Sequence, residues 1–91
     1  MDEKTVIVGT KSFGVYIKAV MTKIEKDKEV TIKTRGKHIS SAVSIAEYLV
    51  RTKNLQFGDI KISSEKFTGE DKKERTVPEI SITIKTKEEV K

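Results

Sequence analysis

Apolar positions along the chain change their period several times, and each change predicts an element. Thr5-Val6-Ile7-Val8 is a β-branched run closed by Gly9, which reads as a short buried strand. Ser12 then stands where a helix N-cap is expected, its hydroxyl able to accept a hydrogen bond from a first-turn amide. Phe13, Tyr16, Ile17, Val20 and Ile24 follow at helical spacing, with Lys18, Lys23 and Lys26 largely off that stripe. Gly14 costs such a helix roughly 1 kcal/mol against Ala, which predicts a close backbone contact there. From Glu29 to Thr34 the period drops to two: Val30 and Ile32 face one way, Thr31 and Lys33 the other. Arg35-Gly36-Lys37 reads as a turn. It leads into a second helix with Ile39, Ala42, Val43, Ala46, Leu49 and Val50 on its apolar face and Ser40, Ser44, Glu47 and Arg51 opposite.

Gly58 is expected to break the next connection. Ile60 and Ile62 alternate with Lys61 and Ser63, predicting a third strand through about Phe67. Gly69 to Glu74 is polar and reads as an exposed hairpin tip. The last strand alternates at Ile80, Ile82 and Ile84, with Pro78 near its start, where an edge or bulge tolerates the missing amide. The order is therefore β-α-β-α-β-β, without repeat, linker or low-complexity segment.

Size and composition narrow what this order can do. A chain of 91 residues suits one domain whose core is small enough to benefit from dimerisation. It has no cysteine, which excludes disulfides and thiolate metal sites, and a cytoplasmic, reducing compartment is expected. Met1-Asp2-Glu3-Lys4 shows no apolar signal stretch, and the apolar runs are too short to span a membrane. Charged residues form 36% of the chain, rich in Lys and Glu, as on a heavily solvated surface of the thermophilic kind. The net charge of +5 is uneven: residues 1–27 carry +1, residues 28–53 carry +4 and residues 54–91 carry zero. An electropositive patch is thus expected in the middle third.

Catalytic chemistry finds little support. His38 is the only histidine, so no histidine-based triad or histidine-pair metal site can form within one chain. A surface or capping role is its commoner reading, contact with phosphate the functional one. Glu70-Asp71-Lys72-Lys73-Glu74-Arg75 interleaves acids with bases, as solvated ion pairs do, rather than isolating an acid–base couple. Gly9-Thr10-Lys11-Ser12 resembles the end of a phosphate-binding loop, yet a strand occupies the place of its earlier glycine. No cofactor or metal is expected. Three donor groups at element ends remain. Thr10, Lys11 and Ser12 precede the first helix, whose amides favour an anion. Arg35, Gly36, Lys37 and His38 precede the second, with glycine allowing close backbone approach. Lys72, Lys73 and Arg75 sit on the hairpin, weakened by acidic neighbours. Parallel strands would bring both helix starts to one edge, an arrangement suited to nucleic acid.

The stretch Ile32-Lys33-Thr34-Arg35-Gly36-Lys37-His38-Ile39-Ser40-Ser41-Ala42-Val43, together with Gly9-Thr10-Lys11-Ser12 and the Tyr16 helix, resembles the Alba family of archaeal chromatin proteins. That family shows a related Ile-Lys-Ala-Arg-Gly-Arg-x-Ile-x-x-Ala-Val stretch in the same place, and the likeness covers almost the whole chain. The resemblance implies an α+β fold, a two-layer β-α-β-α-β-β sandwich similar to the C-terminal domain of translation initiation factor three. It also implies a homodimer that binds the backbone of double-stranded DNA or RNA without strong sequence preference. Arg35 and Lys37 would take the family's central phosphate-contacting roles, Lys11 that of the second lysine in the first loop, and Lys72, Lys73 and Arg75 would belong to a minor-groove arm.

Three departures bear on this. One lysine of the family's Gly-Lys-Lys-Pro loop is absent. Val50-Arg51-Thr52-Lys53 replaces Arg-Asn-Arg-Phe, leaving Arg51 and Lys53 one helical step, about 100°, from the family's bases. Glu70, Asp71 and Glu74 oppose insertion of the arm between phosphates. The alternative reading is a divergent member that binds nucleic acid weakly or not at all and works through protein partners.

Overall fold

A computed structural model describes residues 4–87. The elements follow the expected order: β1 (Thr5–Ile7), α1 (Phe13–Asp27), β2 (Glu29–Arg35), a 3₁₀ turn (Gly36–His38), α2 (Ile39–Thr52), β3 (Leu55–Thr68) and β4 (Glu74–Thr86). The four strands form one sheet in the order β1-β2-β4-β3. β1 runs parallel to β2, whereas β4 is antiparallel to both β2 and β3. Both helices cover one face of this sheet, giving two layers. Between them lie Val6 and Val8, Val30 and Ile32, Leu55, and Ile80, Ile82 and Ile84 from the strands. Tyr16, Val20 and Ile24 from α1 and Ala42, Ile45, Ala46 and Leu49 from α2 close the core. Among the described residues no helix is long and apolar enough to cross a membrane.

Several local expectations change on folding. β1 is an edge strand rather than a fully buried one: Val6 and Val8 enter the core, but Ile7 points to the open face. In α2, Ile45 is buried and Val43 is exposed, so the core face is centred on Ala42, Ile45, Ala46 and Leu49. Counting at 100° per residue puts Val43 about 100° from Ala42 and Ile45 only about 60° away, which explains the exchange. Ser12 does cap α1, yet through its carbonyl, which accepts from the Val15 amide, and not through its hydroxyl. A Cβ on Gly14 would meet nothing within 4 Å, so no close contact accounts for that glycine.

Gly58 lies inside β3, not between elements. The pairing of β3 with β4 slips between Phe57 and Ile60, and a Cβ at Gly58 would stand 3.2 Å from Thr83 Cγ2. A bulge with a glycine at its point of closest approach keeps the strand continuous through Leu55. β3 consequently starts at Leu55 rather than near Ile60 and ends at Thr68, close to the expected Phe67, while β4 starts at Glu74, ahead of Pro78. Pairing with β2 stops at Arg35–Glu79, while the β3–β4 ladder continues from Ser64–Pro78 to Thr68–Glu74. Beyond that limit the hairpin is a two-stranded arm, which contributes to an elongated molecule of 57 × 24 × 23 Å. Pro78 falls one residue past the last pair with β2, where β4 has no neighbour on that flank.

Candidate functional site

Chain direction decides which basic groups meet. β1 and β2 are parallel, so the loop into α1 and the turn into α2 leave the same end of the sheet. β3 then runs towards that end and continues past it as the arm. Lys11, Ser12, Arg35, Gly36, Lys37 and His38 therefore occupy one end, and Lys72, Lys73 and Arg75 project from it. α2 carries Arg51 and Lys53 back to the opposite end, roughly 20 Å away for a helix of 14 residues.

The first loop is held by hydroxyl groups. Thr34, the buried polar side chain of β2, donates its Oγ1 hydrogen to the Val8 carbonyl at 2.7 Å. The Val8 amide donates to the Lys33 carbonyl at 2.9 Å, extending the β1–β2 pairing by one step. The Tyr16 hydroxyl, reaching out of the core, accepts from the Gly9 amide at 2.8 Å and from the Lys11 amide at 3.0 Å. Tyr16 thus ties the backbone on both sides of Thr10 while the Lys11 side chain stays exposed. Reading the helical stripe treated Tyr16 only as core. The signal for more was its polar tip, since a buried tyrosine hydroxyl usually finds a partner.

The second turn depends on its glycine. Gly36 has φ +65°, a left-handed conformation that a Cβ strains, and the space around it is open. Lys37 is exposed and has no side-chain hydrogen bond or ion pair among the described residues. His38 is half-buried at the start of α2 without a side-chain capping bond.

Arg35 is different. Its guanidinium donates to the Glu65 carboxylate across the open face of the sheet and lies 5.7 Å from the centre of the Phe67 ring. Beside it Lys33 Nζ stands 3.7 Å from Glu79. The Arg35 hydrogen bond holds the Glu65 carboxyl below the ordinary glutamate range, and Glu65 in turn raises Arg35 above the ordinary arginine value. A cleft of about 360 Å³ opens between these charges, with Ile7, Val8 and His38 among its walls. Sequence spacing gave no sign of Glu65, which is 30 positions from Arg35.

The other expected residues have mixed surroundings. Arg75 pairs with Asp71 at 3.2 Å, and Asp71 also accepts from the Lys73 amide within the tip. Lys72 adopts φ +62° at that turn. Arg51 pairs with Glu47 at 2.7 Å and lies 5.8 Å from the Tyr48 ring. The hydrogen bond from Arg51 also holds the Glu47 carboxyl below its usual range. Lys53 follows α2 as its C-cap and is exposed. Near that end, Lys4, Lys28, Lys85 and Lys87 line a cleft of about 690 Å³ shared with Asp27 and Glu29. The basic middle third is consequently divided. Lys33, Arg35 and Lys37 lie towards the arm end, whereas Lys28, Arg51 and Lys53 lie towards the other.

Comparison with known proteins places this arrangement among relatives. The Alba family model matches residues 4–64. The DNA/RNA-binding protein Alba 1 of Archaeoglobus fulgidus is 42% identical over 74 residues, covering 77% of this chain and 82% of that one. The DNA/RNA-binding protein Alba of Nitrosopumilus maritimus is 33% identical over 84 residues, with 89% and 88% covered. In structure, Alba from Thermoplasma volcanium superposes with a TM-score of 0.78 at 33% identity, covering 89% of this chain and 98% of that one.

Proposed function

The chain belongs to the Alba family, and from that premise we propose that it binds the backbone of DNA or RNA as a homodimer, without reading sequence, in a chromatin-type role on the chromosome. The observation that carries this reading is the convergence of both helix starts and the arm at one end of the sheet. Lys11 and Lys37 offer exposed ammonium groups there, and helix-start amides add positive potential. Phosphate contacts of this kind position a protein on nucleic acid without specifying bases.

A homodimer is supported by an uncovered apolar band. Cross-strand pairing puts Ile60 and Ile62 of β3 on the helix-bearing face, opposite Ile82 and Ile80, yet both are exposed. Phe57 lies on the same strand and is exposed, as is Val43 of α2. Exposed apolar side chains grouped along one strand are what a second copy would cover.

Salt dependence tests the function directly. Lys11 and Lys37 from two protomers make four contacts, which give a logarithmic slope of about −3.6 on duplex DNA; adding Arg35 makes six and about −5.4. Fluorescence anisotropy with labelled duplex DNA and structured RNA at about 50 and 200 mM salt should show affinity falling at least a hundredfold. The Arg35→Ala, Lys37→Ala double variant should bind more weakly at both salts, its slope cut towards about −1.8 by the two Lys11 contacts that remain, while its circular dichroism stays that of the parent. Binding equal to the parent's would remove these residues from the interface. The four acids of the arm, Glu65, Glu70, Asp71 and Glu74, favour a second reading in which protein partners matter more than nucleic acid. Absence of binding at the lower salt would select it.

A further inference from the structure

Each of the three arginines in the chain is engaged by a carboxylate of its own chain: Arg35 by Glu65, Arg51 by Glu47 and Arg75 by Asp71. The side chains of Lys11, Lys37, Lys53, Lys72 and Lys73, among the described residues, make no such pair. Arginine is the cation whose planar fork best matches phosphate, and a carboxylate presents two oxygens to that same fork. Two of these pairs are local, since Glu47 and Asp71 are four positions from their partners. Glu65–Arg35 is not. It joins the base of the arm to the end of β2 across the intervening strand β4.

Its surroundings hold the guanidinium in place. The ring of Phe67, two residues further along the same strand and on the same face, lies beside the guanidinium. Glu79 of β4 adds a second negative charge near Arg35 and pairs with Lys33. On the open face, two bases of β2 are thus balanced by one acid of β3 and one of β4.

We infer that Glu65 is an internal stand-in for phosphate, so that the Arg35–Glu65–Phe67 clasp withholds Arg35 from nucleic acid and sets the protein's affinity from within. This rests on the nucleic-acid reading above and deepens it. A cation already neutralised by an internal carboxylate has few counterions to release, so it adds little to the salt slope. The parent dimer then behaves as one with about four contacts, at a slope near −3.6. Freeing Arg35 in both protomers takes it towards about −5.4, an extra tenfold or so of salt sensitivity between about 50 and 200 mM.

The experiment compares four proteins by anisotropy on the same duplex across that salt range: the parent, Glu65→Gln, Arg35→Ala and the double variant. Glu25→Gln, an exposed acid on α1, is the control for net charge alone. Glu65→Gln keeps the side-chain shape at a half-buried position, and a thermal melt checks that folding is unaffected. The clasp requires Glu65→Gln to bind more tightly at the lower salt and to lose about tenfold more affinity than the parent by the higher, a slope steeper by nearly two. In the Arg35→Ala background the same replacement should leave the slope unchanged. If the parent binds and Glu65→Gln merely tracks Glu25→Gln, the clasp is wrong and the nucleic-acid reading stands. If neither the parent nor Glu65→Gln binds at about 50 mM, both readings fall together.

Discussion

At the scale of single residues, Tyr16 shows how a core position can govern a surface loop. Its ring sits in the core at 6% exposure, and its hydroxyl is the acceptor for two loop amides that the β1–β2 pairing does not use. Tyr16→Phe keeps the apolar packing and removes that acceptor. Because the site is only partly sealed from water, the cost should be about 1–2 kcal/mol in urea denaturation. Amide hydrogen exchange at Gly9 and Lys11 should accelerate as well. Unchanged exchange at both would mean that the hydroxyl does not hold the loop. The cations themselves were legible in the sequence, because turn glycines and helix starts mark where Lys11, Arg35 and Lys37 lie. Their partners were not. Glu65 and Phe67 reach Arg35 only because β4 brings β3 beside it, and no local spacing encodes that pairing.

Among the elements, periodicity predicted the order of strands and helices and misjudged their faces and lengths where two effects compete. In α2 a run of apolar residues from Ile39 to Val50 is wider than the core it covers, so the pattern alone did not rank Ile45 above Val43. Packing does rank them: Ile45 is 1% exposed and Val43 45%. Ile45→Ala should therefore cost about 2–5 kcal/mol, a large share of the stability of so small a fold. Val43→Ala should cost less than about 0.5 kcal/mol in the isolated protomer. Urea denaturation at low protein concentration checks both, and equal losses would mean the helix is rotated from this orientation. The start of β4, at Glu74 rather than near Pro78, escapes the alternation for a related reason. Alternation of apolar residues marks a strand only where one face is buried. Beyond Glu79 both faces of the arm are solvated, and the ladder continues on backbone pairing without an apolar signature. Gly58 was misleading in the same way: glycine punctuates loops more often than it seats a bulge against a threonine.

For the whole molecule, charge along the chain and charge in space are different quantities. The +4 of residues 28–53 was expected to make one patch, but β2 runs up and α2 runs back, so its bases separate to the two ends of the sheet. A dimer changes that arithmetic, because the lysines of two protomers act on one ligand. Ile62 is the sharpest probe of the proposed dimer, being 76% exposed on β3 while its cross-strand neighbour Ile80 is buried. Ile62→Lys places a charge in the apolar band without disturbing the core beneath it. Sedimentation velocity should show a dimer for the parent and a monomer for the variant, with the circular dichroism of the parent retained. The same variant should lose half its phosphate contacts, reducing the salt slope on duplex DNA from about −3.6 towards −1.8. The two readouts depend on each other. A variant that remains a dimer at every concentration places the interface away from β3. A monomer that keeps the parent's slope means that one protomer supplies every phosphate contact, and that the apolar band serves association alone.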